Sequence, residues 1–399
     1  MQETSEHAIL PGSAAFRRAC LALFLAGCAT FSLLYCVQPL LPIYAAEFGV
    51  SPAQSALPLS LSTAALAAAI LCAAIVSERL GRRGLMFVSM TLAALATLAA
   101  AASPDWTMLL VLRTATGFLL GGVPAVAMTW LAEELDRRSA AYAMGLYVAG
   151  TAFGGMIGRV GSGILAEYLG WRWAMGSAGL AGLVAAAGFI LLLPRSRHFQ
   201  RPSHAGLTYH LQAWAAHLRT PGLPQVFLIA FLGMGAFITI FNYAAFRLLE
   251  PPYDLNQAQV GLIFLVYIFG IASSSFAGPV IDRFGRRLVL PAGLMTMAAG
   301  IAMTLLPQLG FVIGGIVILA FGFFFSHSVA SSCVGLFARQ AKGHATSLYH
   351  LSYYAGSSLA GWLGGWFFAF GHWPAVAGFT LAMLILAIAI AWRMEALKD

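Results

Sequence analysis

Twelve apolar runs follow one another along the 399 residues, and no other feature restricts the possible folds so far. A run of roughly 20 apolar residues crosses a hydrocarbon core as a helix, whereas an open sheet would leave backbone groups unpaired in lipid. Charged or Pro/Gly-rich breaks set the runs at about 19–46, 54–77, 85–103, 106–132, 139–167 and 173–193, then at about 224–249, 257–281, 288–307, 310–337, 344–370 and 373–392. With 60% hydrophobic residues, 9% charged and a mean hydropathy of +0.84, the chain is an all-α integral membrane protein.

The basic residues set an orientation. Of 22 Lys and Arg, 18 fall in the N-terminus, the even-to-odd loops or the C-terminus, and the opposite loops hold Arg172 alone beside Glu47, Asp105, Glu167, Glu250 and Asp254. By the positive-inside rule both termini are expected in the cytoplasm. The net charge of +8 is scattered through short loops, not gathered with aromatics on one face, so a nucleic-acid partner is not expected. Cys20, Cys28, Cys36, Cys72 and Cys333 lie in or at the ends of apolar runs without metal-ligand spacing, so they read as packing residues, with no metal and no cofactor expected.

The chain is a duplication. Gly278-Pro279-Val280-Ile281-Asp282-Arg283-Phe284-Gly285-Arg286-Arg287 is echoed 204 positions earlier by Glu78-Arg79-Leu80-Gly81-Arg82-Arg83, both between apolar runs. An offset of 204 also sets Gln38 opposite Asn242, and one of 206 sets Tyr147 opposite Tyr353. The resulting organisation is a cytoplasmic N-terminus over 1–18, a six-helix half over 19–193, a linker over 194–223, a second six-helix half over 224–392 and a cytoplasmic tail over 393–399. The linker histidines (His198, His204, His210, His217) are six or seven residues apart, which gives no i, i+4 ligand pair, and a solvated, partly helical linker is expected.

Doubled hinges in twelve spans resemble the major facilitator superfamily over essentially the whole chain. Its loop signature G-x-x-x-D-R-x-G-R-R is matched by Gly278, Asp282, Arg283, Gly285, Arg286 and Arg287; the first copy departs from it with Ala74 and Glu78. The fourth-span pattern R-x-x-x-G fits Arg113 and Gly117. The fifth-span glycine pattern of the antiporter branch fits Gly150, Gly154 and Gly158, but Gly155 stands where proline is preferred and Arg159 where glycine is, which counts against drug antiport. Leu33-Leu34-Tyr35-Cys36-Val37-Gln38-Pro39 and Ala330-Ser331-Ser332 look like the YnfM-type bacterial inner-membrane efflux permeases. The resemblance implies parallel six-helix repeats that expose a midplane site to either side in turn.

Within the spans, Arg113 and Arg159 are the deep charges, and a charge in hydrocarbon costs several kcal/mol unless it faces water or a partner. Either could line a cavity or plug two helices together. Tyr35 and Gln38 share a face ahead of Pro39 and Pro42, which bend the helix. The resemblance implies that Tyr35, Gln38, Arg113, Asn242, Tyr243 and His327 converge, with Arg159, Tyr353 and Tyr354 as further candidates. Ser331, one turn after His327, is its expected partner, and His327 is the first candidate for a proton carrier. The stripes Gly150-Gly154-Gly158-Ser162 and Gly356-Ala360-Gly364 read either as static packing or as surfaces on which the halves slide. Glu133 with Arg137, and Glu134 with Arg138, have i, i+4 spacing, a solvated helix end or a latch. Asp282 and Glu78 would hold a gate at a facing helix N-terminus, with Arg79, Gly81, Arg82, Arg83, Arg283, Arg286 and Arg287 fixing the loops.

The function expected is a secondary transporter for a small-molecule substrate, with proton-coupled efflux of a neutral polar or anionic solute. No acid falls near a span midplane, where exporters of cationic drugs want one. A multidrug/proton antiporter is the alternative; a non-transporting sensor or a membrane enzyme is remote, because no catalytic motif is present. A monomer in the inner membrane is expected.

Overall fold

Most of the apolar runs form one helix each, while the first breaks at Gln38–Leu40, the fourth before Pro124 and the eighth at Ile263–Val266. The computed structural model describes residues 9–196 and 207–394. His198, His204, Arg197, Arg201 and Lys398 lie outside the described residues, as do the side chains of Glu78, Arg79, Arg137 and Arg138. The first run is α1 (Ala14–Tyr35), a 3-10 turn (Gln38–Leu40) and α2 (Leu41–Phe48); a short α3 (Pro52–Ser55) precedes α4 (Leu57–Leu80) and α5 (Arg82–Ala101). The fourth run is divided into α6 (Trp106–Leu120) and α7 (Pro124–Glu134), because Pro124 cannot donate to the preceding turn. Then follow α8 (Arg137–Leu169) and α9 (Trp171–Leu192).

The linker contains α10 (Leu207–Arg219). Beyond it come α11 (Leu223–Leu249), α12 (Gln257–Leu262), a 3-10 turn (Ile263–Val266), α13 (Tyr267–Phe284), α14 (Arg286–Met303), α15 (Leu309–Phe337) and the 52-residue α16 (Lys342–Arg393). The last of these is two spans joined at Gly371 and His372, both of which leave helical geometry. Among the described residues, seven helical stretches are long and apolar enough to cross a membrane unaided.

The duplication extends to the helix starts. Ser51 and Gln54 form a capping box ahead of α4, and Asn256 and Gln259 form another ahead of α13, 205 positions on. Both hinge glycines take the same backbone: Gly81 has φ 76° and ψ 151°, Gly285 has φ 75° and ψ 152°. Only glycine occupies that region without strain, and it lets each chain turn from one span into the next within a single residue.

Two compact units result: Met1–Leu40 with Ala65–Ser203, and Leu41–Ala64 with His204–Asp399. The first run is therefore shared at its break. In the second unit, Ser358 Oγ donates to the Ser60 carbonyl at 2.7 Å. A methyl added at Gly365 would lie 2.3 Å from Ala53 Cα, so Leu41–Ala64 packs directly on α16.

Both small-residue stripes lie inside a unit. A methyl added at Gly150, Gly154 or Gly158 would fall 2.4 Å from the Phe24 carbonyl oxygen, 2.1 Å from that of Cys28 and 2.7 Å from Ser32 Cα. Those α1 positions repeat every four residues as well, so two helices meet backbone to backbone. In the second unit Gly356 receives the α11 backbone at Phe231, and Gly364 receives the side chains of Thr239 and Tyr243. A sliding surface between halves is thus the wrong description of these stripes, whose partner is a helix of the same unit.

Candidate functional site

The candidate polar side chains are divided between the two units. In the first, the break after α1 creates the need. Cys36 N–H still reaches the Ser32 carbonyl at 2.9 Å, but the chain then turns into the 3-10 segment before Leu41. The carbonyls of Leu33 and Leu34 at that end are taken by Arg113, whose Nη1 donates to Leu33 at 2.9 Å and Nη2 to Leu34 at 2.7 Å. A planar fork matches two neighbouring carbonyls, and a cation at a helix C-terminus also meets the negative end of its dipole. Fully buried on α6, Arg113 closes the end of a broken helix.

Arg159 is held mainly by side chains. Its Nε donates to Gln38 Oε1, its Nη1 to the Gly155 carbonyl at 2.7 Å, and its guanidinium lies over the Tyr35 ring at 3.9 Å from the centroid. The three residues form a buried cluster carrying one positive charge on the break of the first run.

In the second unit, Tyr243 donates from its hydroxyl to the Gly361 carbonyl at 2.8 Å, and Asn242 Nδ2 approaches the same oxygen at 3.5 Å. Both side chains are buried and tie α11 to α16. His327 on α15 has a different partner from the expected Ser331. Its Nδ1 lies 2.9 Å from the Tyr349 hydroxyl, while Ser331 is exposed and bonds the Ser328 carbonyl at 3.0 Å. The imidazole stacks on Phe323 and lies 5.0 Å from the Tyr353 ring, against which Tyr354 stands edge-on at 5.1 Å. If the hydroxyl donates, Nδ1 is bare and the proton sits on Nε2.

At the hinges, the arginines reach neighbouring helices. Arg82 donates from Nη2 and Nε to Glu133 at 2.9 and 3.3 Å, and Arg286 Nε approaches Ser332 Oγ at 3.4 Å. Glu133 is thus the acid of a tertiary ion pair between the start of α5 and the end of α7. Asp282 and Arg283 are exposed, and a methyl added at Gly278 meets no described atom within 4 Å, so packing within its own unit does not demand glycine there.

Two further arginines follow the rule set by Arg113: Arg247, missed in the sequence, and Arg83, expected there to fix its loop. Arg247 donates from Nη1 to the Thr304 carbonyl at the end of α14 and from Nη2 to Tyr253 Oη at 2.9 Å, beneath the Trp373 ring. Arg83 Nη2 donates to the Ile190 carbonyl near the end of α9. In each case the acceptor is a backbone oxygen left over by a helix end, which no side-chain pattern advertises.

Comparison with known proteins agrees with this architecture. A family model described as the Major Facilitator Superfamily matches residues 21–254 and again 244–398. The chain is 44% identical over 380 residues to the uncharacterized MFS-type transporter YybF of Bacillus subtilis, covering 95% of this chain and 94% of that one. It is 43% identical over 384 residues to the inner membrane transport protein YnfM of Escherichia coli, covering 96% and 92%. Among solved structures, an inward-facing bacterial homologue of the human lysosomal transporter Spinster superposes with a TM-score of 0.77 at 16% identity, covering 96% and 97%. A D-xylose-proton symporter superposes with a TM-score of 0.73 at 15% identity, covering 96% and 97%.

Proposed function

Because the chain belongs to the major facilitator superfamily, it is a membrane transporter and not an enzyme, and we propose that it exports a small neutral polar or anionic organic solute by proton-coupled alternating access. The observation that carries this reading is the Arg159, Gln38 and Tyr35 cluster: a buried cation with polar and aromatic neighbours, in spans whose acids all stand near their ends. A guanidinium recognises carboxylate or hydroxyl oxygens through paired N–H donors, whereas a cationic substrate would meet repulsion.

In this mechanism Asn242, Tyr243, His327, Tyr353 and Tyr354 complete the cavity from the second repeat, and His327 carries the proton with Tyr349 as its relay partner. Arg113 serves as a positioning residue that holds the bend of the first run. Asp282 and Glu78 close the inner gate, with both termini in the cytoplasm of a bacterium's inner membrane and the monomer as the working unit. The test is binding by the purified protein of matched anionic, neutral and cationic organic solutes, repeated with Arg159→Gln. Anion binding that falls about tenfold or more on loss of the paired donors supports the assignment; preferential binding of cations overturns it.

The aromatic group of buried Phe323 and half-buried His327 and Tyr353 favours a second reading, a multidrug/proton antiporter for amphipathic compounds. Affinity that tracks solute apolarity and ignores Arg159→Gln distinguishes it.

A further inference from the structure

Below the basic loops of the second unit lies a cavity of about 1310 Å³, larger than the roughly 300–1,000 Å³ of ordinary small-molecule sites. It is framed by the turn between α10 and α11, the first turn of α14, the chain after α15 and the end of α16. Arg286, Arg287, Arg339 and His217 line it, and among the described residues no Asp or Glu does. Arg287 and Arg339 are exposed, whereas His217 is buried and shares a hydrogen bond of 3.2 Å with the Ala341 carbonyl, which fixes a proton on Nε2. The first turn of α14 adds its amide donors, since Gly285 provides no side-chain cap.

The rim is apolar. Phe284, Leu288, Leu336 and Trp392 line the same cavity with 54%, 52%, 56% and 44% of their surface exposed. A free phosphate or a nucleotide would need the arginines but gives no use for four exposed apolar side chains. An amphiphile with an anionic head needs both. The corresponding hinge of the first unit forms a cavity of about 320 Å³ around Arg82, Arg83 and Arg195, where Arg83 is already engaged by the Ile190 carbonyl.

We propose that this cavity is a binding site for one anionic phospholipid of the surrounding leaflet, its phosphodiester among Arg286, Arg287 and Arg339 and its acyl chains along Phe284, Leu288, Leu336 and Trp392. Basic pockets at the cytoplasmic ends of spans hold anionic headgroups, and a tryptophan at the level of the headgroups marks the same depth. The bound lipid ties four chain segments of the second unit together independently of the transported solute.

The test is native mass spectrometry of the purified full-length protein in detergent, titrated with phosphatidylglycerol, phosphatidylcholine or inorganic phosphate. Phosphatidylglycerol should bind at one saturable site and phosphatidylcholine should not, while inorganic phosphate at the same concentration leaves the lipid in place. Each arginine contributes roughly a fivefold gain in affinity, so Arg339→Gln should weaken phosphatidylglycerol about fivefold and Arg287→Gln/Arg339→Gln about thirtyfold. The control Arg17→Gln/Arg18→Gln, which removes the same charge from the first unit, should change it by about twofold or less. Equal losses in the pair and the control reduce the effect to net charge and overturn the site. So do equal binding of the two lipids, displacement by phosphate, or a folded Arg339→Gln that binds like wild type.

Discussion

Arg113 is the residue whose role the structure changes most, and its replacement gives a quantitative test. Arg113→Met keeps an apolar stem in the buried slot but removes both donors, leaving the Leu33 and Leu34 carbonyls at the end of α1 without the fork they share. A hydrogen bond from a charged donor contributes about 1.5–3 kcal/mol, so two give about 3–6 kcal/mol as a ceiling. Part of that returns because a buried charge no longer has to be desolvated, and the net loss should be about 2–5 kcal/mol. Arg113→Lys retains the charge and can reach one carbonyl at a time, so it should lose about half as much, roughly 1–2.5 kcal/mol. Chemical denaturation and thermal unfolding in detergent should rank wild type above Arg113→Lys above Arg113→Met. Retained solute affinity is expected in whatever fraction of Arg113→Lys remains folded. A variant with wild-type stability but weakened solute binding would refute the reasoning and return Arg113 to direct substrate recognition.

Three further outcomes are expected. Gly154→Ala places a methyl 2.1 Å from the Cys28 carbonyl oxygen and should cost about 1–3 kcal/mol by forcing α1 from α8, whereas Gly161→Ala, with open space at the same helix, should be neutral or gain up to about 1 kcal/mol; both are read by denaturation midpoints. Gly285→Ala should cost about 1–3 kcal/mol through its backbone alone, since nothing lies within 4 Å, and Gly285→Asn should bring no relief because ψ of 152° is far from the left-handed helical well that asparagine tolerates; equal stability of all three would contradict this. His327→Gln should abolish solute flux driven by a pH gradient while sparing solute exchange without a gradient, and persistent gradient-driven flux would remove the histidine from coupling.

The spans were legible because hydrocarbon thickness imposes a run length that composition must satisfy, and the hinges because their acid, glycine and arginines recur at a fixed offset. The partners of the buried polar groups were not. Arg113, Arg83 and Arg247 bond backbone oxygens, which every residue possesses, so their side chains alone suggest a cavity or an ion pair equally well. Local spacing misled at His327: Ser331 lies one turn away, yet Tyr349 on another helix takes that position. The grouping of Leu41–Ala64 with the second unit depends on contacts at Ser358 and Gly365, small residues with no signature at that range.

Uptake of an anionic organic solute into proteoliposomes under separately imposed pH gradient and membrane potential distinguishes proton-coupled anion transport from its alternatives. Wild type should show flux driven by the pH gradient, and Arg159→Gln should weaken solute affinity about tenfold or more, the size expected for losing paired charge-assisted hydrogen bonds. Flux that ignores the pH gradient, or a cationic solute moved in preference to the anion with Arg159→Gln unimpaired, would contradict proton-coupled anion transport.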